Sequence, residues 1–388
     1  MPQKLSTSGQ LVAESIHPGK DLVILARAAL NGDNTTLRRA LSELSRHYEG
    51  PDRDEVRTQL SRLTHQSAKQ LRPLQSADRL PVDAKSRTPL LQPGRDPRDP
   101  LLMEDEVKEE LDLILEEFSH AEKLSAKGLA TRNTLLLYGP PGTGKTHIAH
   151  HLAQRLGRPL SIVRLDSVIS SLLGDTAKNI RSLFDYADGT SAILFLDELD
   201  ALAKFRDDQK ELGELKRVVN TLLQGLDNLE PTTIVIGATN HPDILDPAIW
   251  RRFTHNIEIN LPSRELRCNL WNLYLFEDRG DLRVCEALAR CSKNLSASDI
   301  REIALAARRR SIVTDTPIDI PQTVIAVISS IAGKIQRPKI TPLSTSERDA
   351  LAIRLSQKDE IRQVDIVNLL SMKKQIVSKM LKTSENNH

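Results

Sequence analysis

Apolar residues recur every three or four positions in three stretches near the start of the chain, and this spacing predicts three amphipathic helices. The stretches are Leu22–Leu30, Thr36–His47 and Asp54–Gln66. Short turns separate them, so we predict a small helical bundle over residues 1–70. Such a bundle either docks a partner or stabilises the rest of the chain, and the pattern does not separate these two roles.

The helical pattern stops between residues 71 and 100. The prolines that interrupt it are Pro73, Pro81, Pro89, Pro93, Pro97 and Pro100. Proline restricts the backbone and removes a hydrogen-bond donor, so this composition predicts a semi-extended linker. A helical pattern returns from Leu102 to Ala121.

Short apolar runs then alternate with helical patterns. The candidate strands cover residues 134–138, 160–164, 192–196, 233–238 and 256–260. Apolar strands that alternate with helices predict an α/β fold, in which a parallel five-stranded sheet is covered by helices. Beyond residue 264 the patterns are helical only. We therefore predict an α/β subdomain (101–263), a helical subdomain (264–335) and a helical C-terminal segment (336–388).

Composition narrows the class of protein. Lysine plus arginine number 54 and aspartate plus glutamate 52, and this near balance argues against a chain built mainly as a polycation for nucleic acid. The three cysteines lack metal-ligand spacing, which favours buried apolar residues in a reducing compartment. No run approaches 18 apolar residues and the first residues lack a signal-peptide pattern, so we expect no membrane segment and a cytoplasmic protein.

One segment has the pattern of a phosphate-binding loop. Gly139-Pro140-Pro141-Gly142-Thr143-Gly144-Lys145-Thr146 follows an apolar strand and precedes a helical pattern, which is the context that this motif requires. Its glycines let backbone N–H groups approach an anion, and the positive end of the next helix points to the same place. Lys145 suits the β- and γ-phosphates, and the Thr146 hydroxyl suits Mg²⁺.

Two carboxylates follow the apolar run 193–196. In open α/β sheets, ligands bind at the carboxyl ends of the strands. Asp197 suits Mg²⁺ there, and Glu198 suits a general base that activates a water molecule. The alternative is that the two carboxylates cap backbone donors at the start of a helix.

Polar residues also follow the run 233–238. Asn240 can hydrogen-bond a γ-phosphate or the attacking water, although by itself an asparagine here is typical of a turn. Arg251 and Arg252 come shortly afterwards. Paired arginines suit a solvated surface, or a phosphate that is bound by a neighbouring subunit.

Together these motifs resemble the AAA family of ATPases, in the branch that includes katanin, spastin and the ESCRT-disassembly ATPase. The resemblance covers about residues 102–335 and rests on the phosphate loop, Leu196–Asp200, Ala238–Asn240 and Arg251–Phe253. Leu295–Ile300 is similar to the family's signature at the start of a lid helix near the adenine, with Ala297 in place of a glycine.

The resemblance implies a homo-oligomeric ring, a hexamer, with ATP and Mg²⁺ bound between subunits. The residues that would bind the cofactor are Gly139, Pro140, Pro141, Gly142, Thr143, Gly144, Lys145, Thr146, His147 and Asp197, with Thr146 and Asp197 as metal ligands. Lys145, Glu198 and Asn240 would act within one subunit. Arg251 and Arg252 would act across the interface as arginine fingers, which raise hydrolysis by about 10³ to 10⁵ in other nucleotide hydrolases.

In this family an aromatic residue in a channel loop grips unfolded polypeptide, and this chain has Leu172 in the matching stretch Ser170–Asp175. Leucine lacks the flat face of an aromatic ring. We therefore expect weaker pulling, or the remodelling of one partner, in place of processive threading. Residues 204–211 suit a second channel loop or a solvated loop equally well.

The segment 363–382 resembles a helix-turn-helix. Its pattern points Ile366, Val367 and Leu370 inward and places Met372 in the turn, while Val377 and Leu381 anchor the second helix. The side chains left exposed would be Lys373, Lys374, Gln375, Ser378, Lys379 and Lys382, a set that suits phosphate and base contacts. DNA binding, protein docking and simple packing all fit this pattern.

We therefore expect a ring ATPase that remodels a protein substrate or partner complex. The alternatives are a nucleotide-switched, DNA-associated regulator, or the ATPase partner of a separately encoded effector such as a protease of a defence system. The sequence itself has neither a His-Glu-x-x-His pair nor a Gly-x-Ser-x-Gly elbow.

Overall fold

The computed structural model divides the chain into two compact units, residues 1–79 and 80–388. The residues that it describes are 80–83, 87–94, 99–129, 132–163, 165, 176–201, 212–330, 334–338, 341, 343–358 and 360–385. The predicted N-terminal bundle, the loop with Leu172 and the loop 204–211 lie outside the described residues, so these three predictions stay predictions.

A six-stranded sheet forms the centre of the described part, in the order β1-β3-β4-β5-β2-β6. Its strands are β1 (Leu91–Pro93), β2 (Asn133–Tyr138), β3 (Leu160–Val163), β4 (Ile193–Leu196), β5 (Ile234–Thr239) and β6 (His255–Glu258). The pairs from β3 to β6 are all parallel. Strands β4 and β5 are buried along their whole length, as expected of a sheet covered on both faces. The predicted α/β fold is confirmed.

The prediction of five strands was wrong by one strand. Leu91–Pro93 lies in the segment predicted as linker, yet it pairs antiparallel with β3 at the edge of the sheet. Leu90 and Leu91 are buried there. A proline is tolerated on an edge strand, because its missing N–H need not face a neighbour. The sheet is therefore mixed.

Helices cover both faces of this sheet. Those of the α/β part are α1 (Asp105–Ser119), α2 (Ala121–Ala126), α3 (Lys145–Leu156), α4 (Thr176–Gly189), α5 (Leu212–Asp227) and α6 (Pro247–Trp250). One face packs on α1 and α3, and the other packs on α4 and α5. Helix α3 ends at Leu156 and is capped by Gly157, which adopts a left-handed conformation typical of a C-terminal cap.

The remaining helices form a second body. They are α7 (Arg264–Phe276), α8 (Leu282–Cys291), α9 (Ala297–Thr314), α10 (Ile320–Ser329), α11 (Thr345–Ser356), α12 (Gln363–Leu370) and α13 (Lys374–Glu385). One hydrophobic core runs through all seven helices and includes Trp271, Ile303, Leu355 and Ile366. We call α7–α10 the lid, α11–α13 the tail, and the two together the lid–tail body.

A buried ion pair also joins the tail to the lid. Arg290 of α8 lies 2.5 Å from the Asp365 carboxylate of α12, and their side chains are only 8% and 2% exposed. Asp365 also accepts a hydrogen bond from the backbone N–H of Arg362, at the start of α12. The tail is thus held by apolar packing and by paired charge, although the predicted boundary at residue 336 separates it from the lid.

Cys285 and Cys291 are buried. Burial raises the pKa of each thiol to about 12. Among the described residues, no helix combines the length and the apolar character needed to span a bilayer.

Candidate nucleotide-binding site

The topology of the sheet brings three predicted segments together. Strand β5 lies between β4 and β2, and all three are parallel. Their carboxyl ends therefore meet at one edge. Asp197 follows β4, Asn240 follows β5, and the phosphate loop follows β2.

The glycines of the phosphate loop are required by close packing as well as by backbone conformation. Gly139 has φ +138°, and a Cβ atom on it would lie 2.2 Å from the carbonyl oxygen of Ile259. Gly142 has φ +77°, and a Cβ atom there would lie 2.5 Å from Ser296 Oγ in the lid. Any other residue at either position would have to displace its neighbour or the loop.

Lys145 is the first residue of α3 and only 6% exposed. Its ammonium group donates hydrogen bonds to the carbonyl oxygens of Gly139 and Pro140, both at 2.8 Å. Burial lowers the pKa of Lys145 to about 8, while Asp197 and Asp200 oppose that shift. The cation thus lies in a poorly solvated place, and an incoming phosphate would stabilise its charge.

The predicted metal ligands are in direct contact. Thr146 Oγ1 donates a hydrogen bond to Asp197 Oδ2 at 3.1 Å, and Asp197 Oδ1 accepts from the backbone N–H of Glu198 at 2.9 Å. A hydroxyl and a carboxylate are hard oxygen donors of the kind that Mg²⁺ takes beside phosphate oxygens. The two residues therefore fit the ion that the motif implies.

Glu198 adopts a left-handed backbone conformation, with φ +54°. This conformation is uncommon for a residue other than glycine, and such strain concentrates at functional sites. The backbone N–H of the next residue, Leu199, donates to the Ala238 carbonyl of β5. The left-handed turn is thus held by the neighbouring strand.

Asn240 is positioned by a residue to which the sequence reasoning assigned no role. The buried carboxylate of Asp200 accepts from Thr239 Oγ1 at 3.1 Å and from the backbone N–H of Asn240 at 3.2 Å. The acidic turn after β4 is therefore tied to the turn after β5. The only available signal was the apolar–acidic pattern of Leu196–Asp200, which does not distinguish this carboxylate from its neighbours.

These residues surround one open cavity of about 590 Å³. Its lining residues from the α/β part are Pro141, Gly142, Gly144, Lys145, Thr146, His147, Asp197, Glu198 and Asn240. Most of the predicted nucleotide-binding residues thus share one cavity. Gly139 and Pro140 are not among the lining residues, but their carbonyl oxygens accept hydrogen bonds from the Lys145 ammonium group.

The lid supplies the other wall, through Tyr274, Ala297, Ser298 and Arg301. Helix α9 begins at Ala297 with a capping box, in which the side chains of Ser296 and Asp299 each accept from the other residue's backbone N–H. The Ser298 N–H donates to the Gly142 carbonyl at 3.0 Å. The start of this helix is thereby fastened to the phosphate loop.

Four residues at another part of the cavity form a cluster that sequence reasoning only partly found. His147 Nε2 lies 3.2 Å from the backbone carbonyl of Asp99, and the Asp99 carboxylate pairs with Arg301. The Arg301 guanidinium lies 5.7 Å from the centre of the Tyr274 ring. Burial lowers the pKa of His147, and Arg301 lowers it further against the opposing effect of Asp99. His147 was predicted from its place after the motif, whereas the other three had no local signal.

The structure does not bring Arg251 and Arg252 to this cavity. Both follow α6 and are absent from its lining. Arg252 donates to the Ala248 carbonyl and to the Asp227 carboxylate, each at 3.2 Å, and Arg251 is exposed.

In the segment predicted as a helix-turn-helix, the structure has two consecutive helices, α12 and α13, and the assignment as a DNA-binding motif stays a prediction. Ser371 takes a left-handed conformation between α12 and α13, with φ +52°. Ile366, Leu370 and Val377 are buried, and Val367 and Met372 are partly buried against the same core. The predicted surface residues that the structure shows as exposed are Lys373, Lys374, Gln375 and Lys379, while Ser378 is half-buried.

Residues 135–261 match the model of the ATPase family associated with various cellular activities (AAA). This match covers the phosphate loop, both carboxylates, Asn240 and the two arginines. The chain therefore carries an AAA-family ATPase domain.

Three relatives show how far this likeness extends. An uncharacterized AAA family ATPase of Sinorhizobium fredii is 47% identical over 150 residues, which is 39% of this chain and 46% of that protein. ATP-dependent zinc metalloprotease FtsH 3 of Sphaerobacter thermophilus is 35% identical over 260 residues, or 64% of this chain and 52% of that protein. A putative 26S proteasome regulatory subunit homolog of Methanothermobacter marburgensis is 36% identical over 193 residues, which is 48% of this chain and 52% of that protein. The chain thus spans about half the length of these relatives.

Proposed function

We propose that this protein hydrolyses ATP in a cytoplasmic ring of identical subunits and uses the turnover to remodel a protein partner. The observation that carries the proposal is the convergence of a lysine, a threonine–aspartate pair, a glutamate and an asparagine on one cavity. Each of these groups has a distinct task in the cleavage of a triphosphate.

The phosphate loop would bind the triphosphate through backbone N–H groups and the positive end of α3. Lys145 would exchange its two carbonyl partners for phosphate oxygens, and Thr146 and Asp197 would hold Mg²⁺. The ion would supply positive charge to the phosphate oxygens. Glu198, whose left-handed turn is held by β5, would take a proton from the attacking water. Asn240, anchored by Asp200, would hydrogen-bond the γ-phosphate or that water.

Arg251 and Arg252 support an arrangement of several copies. They lie outside the cavity of their own subunit, and Arg252 is held there by Asp227. To stabilise the transition state, these two arginines would therefore have to act on the site of a neighbouring subunit. We propose that both arginines reach the site of the adjacent subunit in a hexamer. The likeness to the branch of katanin and spastin stays a prediction.

Two of the relatives support a protein substrate. Their names describe an ATP-dependent zinc metalloprotease and a putative 26S proteasome regulatory subunit homolog, and both names refer to proteolysis. We propose that this chain likewise acts on polypeptide, with any proteolysis supplied by a separately encoded partner.

Hydrolysis is tested with two variants at one site. Glu198→Gln should still bind ATP, while turnover falls by about 10² to 10⁴ because the base is lost. Lys145→Ala should lose ATP binding, as measured by calorimetry. Normal turnover in the Glu198→Gln protein would refute the assignment of the base.

Ring action is tested by mixing subunits. Arg251→Ala subunits should recover some activity when they are mixed with Glu198→Gln subunits, because a site with the intact base of an Arg251→Ala subunit can receive the intact arginine of a Glu198→Gln neighbour. Absence of recovery at every ratio would contradict action between subunits. Capture of proteins on the Glu198→Gln ring, followed by mass spectrometry, would identify the partner.

A second function, DNA binding by the tail, is favoured by one observation. Helices α11, α12 and α13 contact one another, and α13 exposes Lys374, Gln375 and Lys379. Three packed helices with a basic exposed helix suit a DNA groove.

Because the tail shares its core with the lid, the test uses the full chain. In a gel shift at low salt, the native protein should bind duplex DNA, and binding should weaken steeply as salt rises. A Lys374→Ala/Lys379→Ala protein should bind less. No shift at low salt would exclude this function.

A further inference from the structure

The cavity is bounded by a segment that precedes α1. Residues 99–104, which we call the strap, directly precede α1. Leu102 of the strap packs against the lid core, and the strap makes polar contacts with the lid through Asp99 and Glu104. Asp99 pairs with Arg301 of α9, and the Glu104 carboxylate accepts from the backbone N–H and the hydroxyl of Ser263, at 2.7 and 3.0 Å. Ser263 is the N-cap of the first lid helix.

Asp99 is the point at which three parts of the molecule meet. Its carboxylate oxygen Oδ2 lies 2.7 Å from Arg301 Nε and 2.6 Å from a second nitrogen of the same guanidinium. Its backbone carbonyl faces His147, two residues after the phosphate-loop lysine. Both Asp99 and Arg301 line the cavity. The strap, the phosphate-loop helix and the lid are therefore joined beside the space that the nucleotide would occupy.

The exposure of this pair limits its strength. The side chains of Arg301 and Asp99 are 48% and 35% exposed, so water competes for both charges. A half-exposed pair contributes little to folding. Its position at the cavity nevertheless means that the lid cannot swing away from the strap without breaking it. A weak contact of this kind suits a lid that must open once in every cycle of nucleotide binding and release.

The aromatic ring beneath Arg301 fixes where the guanidinium lies. Tyr274 is largely buried in the core of the lid, and the guanidinium faces its ring. A cation over an aromatic face is attracted to it. Because the ring belongs to the lid, Arg301 stays with the lid when the pair with Asp99 opens.

We propose that the Asp99–Arg301 ion pair is a latch that holds the lid closed against the strap and thereby retains the bound nucleotide. This inference rests on the proposed function, because it requires that the cavity binds ATP and ADP. Arg301 acts here as a positioning residue. The groups assigned to phosphate chemistry lie in the α/β part, so the latch controls how long the nucleotide stays and leaves the rate of cleavage unchanged.

Two variants test the ion pair, and each removes one of its two partners. Asp99→Asn keeps the shape of the side chain and removes its charge, and Arg301→Ala removes the partner. Each should weaken ADP binding and raise KM for ATP by about 2- to 5-fold, the size expected of a half-exposed ion pair, and should change kcat by a smaller factor. ADP affinity is measured by calorimetry and KM and kcat by phosphate release.

A charge exchange provides the decisive measurement. Asp99→Lys and Arg301→Glu should each weaken ADP binding, whereas the double variant should recover most of the native affinity. A purely structural role would make the two losses add. The control is Glu302→Ala, since Glu302 is the next residue on α9 but pairs with Arg337 outside the cavity. It should leave ADP affinity unchanged.

The outcomes distinguish failure of the latch from failure of the proposed function. If the native protein binds no ADP and hydrolyses no ATP, the proposed function fails and the latch fails with it. If the native protein binds ADP but Asp99→Asn and Arg301→Ala bind it equally well, the latch is overturned alone. Additive losses in the double charge variant would also overturn it.

Discussion

In the α/β part, the residues proposed to bind phosphate and Mg²⁺ lie on the turns that follow buried parallel strands and on the first turn of α3, whereas in the lid the cavity wall is formed by the start of α9 and by Tyr274 of α7. The first arrangement is anchored by the sheet, because Asp197 and Asn240 each follow a strand with neighbours on both sides. The lid–tail body has its own hydrophobic core, and at the cavity it meets the other part through polar contacts such as Ser298–Gly142 and Arg301–Asp99. The two walls of the cavity therefore belong to separately packed parts of the chain.

The largest predicted effect on stability concerns the buried ion pair between the lid and the tail. Asp365→Ala would remove the buried partner of Arg290 and leave only the exposed Glu286 beside it, so we expect a loss of up to about 3–5 kcal/mol in the free energy of unfolding of the lid–tail body. Urea denaturation measures this loss. The matched control is Glu286→Ala, because Glu286 is the exposed second partner of the same arginine and should contribute about 1 kcal/mol or less.

This substitution also decides whether lid and tail are one body. If they are, Asp365→Ala should weaken ADP binding as well, since the lid wall of the cavity loses support. Loss of the tail alone to protease, with unchanged ADP affinity, would show that the tail is a separate module.

A substitution that adds a methyl group between two closely packed helices tests the packing of the α/β part. A Cβ atom on Gly225 of α5 would lie 2.2 Å from the Phe184 ring of α4. Gly225→Ala should therefore destabilise this layer by about 1–3 kcal/mol. Gly189→Ala is the control, because a Cβ atom there meets nothing within 4 Å. Thermal unfolding followed by calorimetry should show the loss only for Gly225→Ala, and equal stability of the two variants would contradict the packing described for this face.

The pH dependence of ATP binding tests the phosphate side of the cavity. Burial lowers the pKa of Lys145 to about 8 in the free protein, and a bound phosphate should raise it again. Binding then takes up a proton, so affinity is fullest below pH 8 and falls as pH rises above it, by up to about tenfold per pH unit. Calorimetry in buffers of different ionisation enthalpy measures the uptake. Binding at pH 8 without proton uptake would contradict it.

The smallest effect is expected on the exposed side of the tail. Lys374 lies on the surface of α13, so Lys374→Ala should change the free energy of unfolding by no more than about 0.5 kcal/mol. The same urea experiment measures this change. A larger loss would show that the exposed face of α13 contributes to the lid–tail core.

Much of the fold was predictable because its signals are local. Apolar runs, and an apolar–polar alternation in β6, predicted all five parallel strands to within two residues at each end, and the phosphate-loop pattern occupies eight consecutive positions. Strand β1 was missed for a physical reason. Three residues beside prolines have little strand preference of their own, and Leu91–Pro93 is extended because β3 offers it an unpaired edge.

In the candidate site, too, the residues with a local sequence signal were predictable and the others were not. Lys145, Thr146, Asp197, Glu198 and Asn240 follow strands or belong to a motif, so their convergence could be expected from a parallel sheet. Asp99 and Arg301 are 202 positions apart, and neither lies in a pattern that points to the other. Asp365 and Arg290 are 75 positions apart, and no sequence pattern predicted their contact.

The amino-acid sequence by itself determined the strands, the phosphate loop and the residue types available for nucleotide chemistry, because each depends on neighbours within a few positions. Only the tertiary structure decided that the edge strand completes the sheet, that the tail shares the core of the lid, and that the strap meets Arg301 beside the cavity. Those features are contacts between distant segments. Their free energy comes from burial and charge pairing, which exist only once the chain has folded.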